Sequence, residues 1–110
     1  MDNMSFYEVS LEWAEGRRGR VSSPVLNEQI EVATPPEFAK GIAGIWSPEH
    51  LLVAAVDSCL MTTFLAIAEN SGLEFVSFES KALGKLEKVG GKYMITEIEL
   101  DPQVADQQRK

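Results

Sequence analysis

From Leu51 to Ala68 the chain carries one formal charge, Asp57, among leucines, valines, alanines and small polar residues. This run is too long for a strand, and at helical spacing it is apolar nearly all round rather than along one stripe. A helix of this kind must be covered on every side. A chain of 110 residues with only short strands elsewhere, and no second long apolar helix, cannot supply that cover alone. The missing cover is expected from a second copy or from residues beyond Lys110, so an obligate homodimer is the expected form. A bilayer is the other solvent for such a run, but mid-helix Asp57 would cost roughly 2.5–3.5 kcal/mol there. Ser58, Thr62 and Thr63 weaken that reading further, and no membrane insertion is expected.

The helix has clear ends. Ser47 is a good N-cap, Pro48 suits the first helical position, and Glu49 complements the dipole in the first turn. Gly72 suits the left-handed position after the last turn. The expected organisation is a single α+β domain over 1–110, with strands at about 5–33 and a loop at 34–46. The long helix follows at about 48–71, then strands at about 75–100 and the start of a further helix at 102–110, capped by Asp101. In the first part Tyr7, Val9, Leu11 and Trp13 alternate with polar residues, and Gly16-Arg17-Arg18-Gly19 reads as a turn. Thr34-Pro35-Pro36 ends strand structure, because consecutive prolines donate no ladder bonds. Gly90-Gly91 joins the last two strands, of which the second alternates cleanly from Met94 to Leu100.

Composition excludes several function classes. A net charge of −7, with no long basic cluster, argues against nucleic acid. One cysteine rules out an intrachain disulfide scaffold. One cysteine and one histidine make a metal site unexpected, and no cofactor is implied. The start lacks the basic and apolar segments of a signal peptide, so a cytoplasmic location is expected.

The lone cysteine, Cys59, lies in the middle of the helix. Taken alone it reads as a small buried hydrophobe, since cysteine is among the most buried residue types. An ordinary thiol, with a pKa of about 8.5, is only a few per cent thiolate at pH 7. The helix dipole gives little help, because Cys59 is roughly 18 Å from the positive end at 1.5 Å per residue. A reactive Cys59 therefore needs a cation brought from elsewhere in the fold, and Arg17, Arg18 and Arg20 are the candidates. Shifting a thiol by two units takes about 2.7 kcal/mol of preferential thiolate stabilisation, a reasonable demand on one desolvated arginine. Glu49 could hold such an arginine through two parallel bonds. Glu49 and Cys59 are about 15 Å apart along one helix axis. Either the helix bends, or Glu49 serves a site built with the other subunit's cysteine. Asp57 faces no cation at the i±4 positions, Val53 and Met61, and needs a partner across an interface.

Taken in order, Gly16-Arg17-Arg18-Gly19, then Ser47-Pro48-Glu49-His50-Leu51-Leu52 with Ala54-Ala55, then Ser58-Cys59 resemble the OsmC/Ohr family. These are the osmotically inducible and organic hydroperoxide resistance proteins, and the resemblance runs from about Ser5 to the end of the chain. It implies an OsmC-like α+β fold of antiparallel strands around a long central buried helix, in an intertwined homodimer. It also implies a peroxiredoxin-like peroxidase: Cys59 matches the peroxidatic cysteine, Glu49 the glutamate of the Pro-Glu helix start, and Arg17 the arginine of the turn. Arg18 takes that place if the register is off by one. The implied substrate is an organic hydroperoxide, favoured by apolar surroundings such as Leu52, Val56, Phe64 and Trp46. Members with a two-cysteine cycle carry a second cysteine on a later helix, which this chain lacks. The expectation is an external dithiol or lipoylated protein as reductant, or a truncated chain. The other reading is a non-catalytic dimeric module that binds an apolar ligand in the interface pocket.

Overall fold

The computed structural model describes residues 3–106. The chain divides into two compact units, Met1–Pro48 and Glu49–Lys110.

The first unit is a three-stranded antiparallel sheet in the order β1-β2-β3, formed by Ser10–Glu15, Arg18–Ser22 and Ile30–Ala33. The turn between β1 and β2 is only Gly16 and Arg17, because Glu15 already pairs with Arg18. A two-residue hairpin loop needs positive φ, and Gly16 supplies it at 53°. The Trp13 indole N–H donates to the Gly16 carbonyl at 3.0 Å and closes the turn. Arg18 and Gly19, expected in the turn, instead belong to β2. Val32 and Ala33 are buried, and Val32 forms a parallel bridge with Trp46. The loop between them folds back tightly, with Ile42 N–H donating to the Thr34 carbonyl at 2.9 Å. Gly41 lies so close to the Pro35 carbonyl that a side chain there would clash with backbone.

The second unit is one helix and one long hairpin. Helix α1 runs from Pro48 to Ser71 without a break, as the capping residues require. Strands β4 (Phe75–Val89) and β5 (Lys92–Asp106) pair antiparallel through the Gly90-Gly91 loop. Both glycines have positive φ, 59° and 84°, as the commonest two-residue hairpin turn requires. On one face of this ribbon Lys81 lies opposite Asp101 and Lys85 opposite Glu97. Opposite charges placed across two strands suit a solvated face.

The expected helix at 102–110 is corrected where it can be seen. Residues 102–106 continue β5, with Pro102 opposite Ser80 and Val104 opposite Phe78; residues 107–110 lie outside the described residues. Asp101-Pro102 is a good helix start locally, but the first strand of the hairpin extends back to Phe75, and its backbone groups are satisfied by a partner strand. Pro102 is tolerated because β5 is an edge strand of a two-stranded ribbon.

Within the second unit the hairpin meets α1 on one side. Val53, Asp57 and Phe64 recur at helical spacing and face β4. Val53 abuts Gly84, where any side chain would collide with it. The Phe64 ring stacks on Phe78 and meets Phe75 edge-on, each with centroids 5.1 Å apart. Of the whole helix only Ala68 is buried. The helix is also long and apolar enough to cross a bilayer by length and hydropathy. Of the cover expected all round the helix, the hairpin of the same unit supplies one flank.

Candidate active site

Cys59 stands on the side of α1 turned away from the hairpin. At about 100° per residue it lies roughly 140° around the axis from Phe64, beside Leu52, Ala55, Thr62, Thr63 and Ala66. The thiol is exposed, and its Sγ is 4.0 Å from Thr63 Oγ1. Three other hydroxyls along α1 donate back to carbonyls: Ser58 to Ala55, Thr62 to Cys59 and Ser71 to Ile67. Thr63 turns toward sulfur instead. Sequence reasoning missed Thr63; its signal was the four-residue spacing from Cys59, which places both side chains on one face. The expected apolar surroundings divide. Leu52 and Val56 share the cysteine's side, whereas Phe64 belongs to the aromatic cluster against β4.

Glu49 lies in the first turn of α1, and its Oε1 is buried without a hydrogen-bond partner. The helix is continuous, so Glu49 and Cys59 remain about 15 Å apart along its axis. Along a straight helix that span keeps the two from sharing one site.

The turn arginines separate in role. Arg18 on β2 makes an ion pair with Glu31 on β3 at 3.1 Å. Arg17, at the tip, makes no ion pair among the described residues. Beside it opens a cleft of about 450 Å³ whose walls include Leu11, Trp13, Val32 and Thr34. An apolar trough with a guanidinium at its rim can take a molecule with an organic body and an oxygen-rich end. Asp57, for which a partner across an interface was expected, finds one in its own chain: Ser80 Oγ on β4 donates to Asp57 Oδ1 at 2.6 Å. The described residues contain no cluster of three or more His, Cys, Asp and Glu side chains able to hold a metal ion.

The family model for OsmC-like protein matches residues 41–110, which include Glu49, Cys59 and the whole hairpin. The chain belongs to the OsmC-like family. Its fold is shared with an OsmC-like protein of unknown function from Vibrio cholerae, at a TM-score of 0.85 and 24% identity, covering 97% of this chain and 79% of that one. A candidate osmotic stress induced and detoxification response protein from Psychrobacter arcticus aligns over 100% of this chain and 75% of its own, with a TM-score of 0.76 and 15% identity. An OsmC-like protein from Mycoplasma pneumoniae gives 0.75 and 17%, covering 96% and 73%. At these identities the likeness establishes the fold. No curated protein matches the chain.

Proposed function

We propose that this OsmC-like chain reduces organic hydroperoxides through Cys59, as a homodimer whose sites combine Cys59 of one copy with Glu49 and Arg17 of the other. The observation that carries the reading is the orphaned oxygen of Glu49. A buried carboxylate oxygen without a donor is destabilising, by about 1–3 kcal/mol for a neutral group and more for a charged one. A guanidinium answers it with two parallel bonds. Arg18 is already paired with Glu31, which leaves Arg17 as the turn residue for that role. The apolar cleft beside Arg17 supports an organic substrate over hydrogen peroxide.

In the proposed chemistry the Cys59 thiolate attacks the terminal oxygen of R–O–O–H. An S–O bond forms, the O–O bond breaks, sulfur loses two electrons, and the alkoxide leaves as the alcohol after taking a proton. Arg17 would stabilise the thiolate and the developing negative charge on oxygen. The sulfenic acid is then returned to the thiol by an external dithiol, such as a lipoylated protein, which is oxidised to its disulfide with release of water.

Intact mass after a stoichiometric pulse of cumene hydroperoxide, beside an equal pulse of hydrogen peroxide and with a sulfenic-acid trap present, tests this reading. Rapid trapping at Cys59, selective for the organic peroxide, is expected. An unmodified mass would overturn it in favour of a dimeric module that binds an apolar ligand.

A further inference from the structure

On the flank of α1, about 160° around the axis from Cys59, a second cavity opens between the helix and β4. Its volume is about 240 Å³, and Ala54, Asp57, Ser58, Met61, Phe78 and Ser80 line it. One water takes a share of about 30 Å³ in the liquid, so the space suits something larger.

The protons decide what that something is. A serine hydroxyl has one hydrogen to donate. Ser80 spends its hydrogen on Asp57 Oδ1 at 2.6 Å, and Ser58 spends its own on the Ala55 carbonyl at 3.1 Å. The polar side-chain atoms left to the cavity are then acceptors only: Asp57 Oδ2 and the lone pairs of the two hydroxyls. No cation among the described residues pairs with Asp57. Its 2.6 Å bond falls in the range of a hydroxyl donating to an ionised carboxylate. A half-buried negative charge among acceptors calls for a cation with several hydrogens to give.

We propose that this cavity binds a primary alkylammonium group, its three N–H donors directed at Asp57, Ser58 and Ser80 and its stem against Met61 and Phe78. A hard metal ion fits less well. Such ions take six or more oxygens, whereas three of the lining residues are Ala54, Met61 and Phe78. An aromatic wall, in contrast, favours an organic cation. The ammonium could arrive on a free amine or on a lysine side chain of a polypeptide, and the two differ only in what lies beyond the stem.

The test is a titration of the chain, followed by backbone amide NMR, with n-butylammonium chloride, Nα-acetyl-lysine amide, n-butanol and sodium chloride. Saturable shifts at Asp57, Ser58 and Ser80 are expected with both ammonium compounds and not with butanol. Tighter binding of the lysine derivative would identify a polypeptide source, and tighter binding of butylammonium a free amine. Asp57→Asn can still accept the Ser80 bond but loses the charge, and it should weaken binding at least about tenfold. Should that variant unfold, Ser58→Ala provides the same test by removing one acceptor, with a loss of several-fold expected. Equal shifts with sodium chloride would show an inorganic cation site and overturn the proposal. So would the absence of saturable shifts, or unchanged binding in a folded Asp57→Asn. None of these readouts depends on peroxide chemistry at Cys59.

Discussion

The side of α1 that meets β4 and the side that carries Cys59 differ little in hydropathy and greatly in shape. Toward β4 the helix presents Val53, Phe64 and one bonded carboxylate, and the strand answers each with a complementary residue: Gly84, the Phe75–Phe78 pair and Ser80. Outward it presents Ala55, Cys59, Thr62, Thr63 and Ala66, small side chains that leave a shallow surface with Leu52 and Ile67 exposed beside it. Bulky residues at helical spacing interlock with a twisted ribbon. Small ones let another backbone come close but gain little until it does. One side of the helix therefore holds the unit together, and the other is the side to which the proposed chemistry and association belong.

That division can be broken from either side. Cys59→Ser should have the largest effect: no detectable peroxide reduction in a coupled assay, with an unchanged denaturation midpoint. Retained turnover would end the peroxidase reading. Phe64→Ala should do the reverse, lowering unfolding free energy by about 3 kcal/mol in urea while leaving sulfenic-acid trapping per folded molecule unchanged. A much smaller loss would mean the aromatic cluster packs loosely. Ala66→Glu tests the open side as an association surface, placing a charge where close approach is proposed. Sedimentation should show the dimer dissociating by at least about tenfold in affinity, since an unpaired buried charge is strongly unfavourable. An unperturbed dimer would put the contact elsewhere. Thr63→Val should have the smallest effect, a fall of several-fold in the alkylation rate of Cys59 through loss of the hydroxyl beside its sulfur. Thr63→Ser should restore the rate; if it does not, the 4.0 Å contact is incidental.

Much of this was legible because it is local. Ser47-Pro48 and Gly72 bound the helix, Gly90-Gly91 set the hairpin, and the ordered arginine turn, Pro-Glu helix start and Ser-Cys pair pointed to the family. Several expectations failed for want of long-range information. Asp101-Pro102 carries a true helix-start signal, and only pairing with Phe75–Ser80 holds the segment in a strand. Phe64 is as apolar as Leu52, and only the position of β4 shows that the ring faces away from Cys59.

The sequence by itself determined where α1 begins and ends, that it needs cover on every side, and which residues could carry chemistry. These follow from periodicity, capping and side-chain type, which act over a few residues. The tertiary structure decided which side the hairpin takes, that Arg18 is spent on Glu31 while Arg17 makes no ion pair among the described residues, and that Asp57 is answered by Ser80. Those outcomes depend on which atoms meet across tens of residues, and a helix apolar all round carries no local signal of which side will be met.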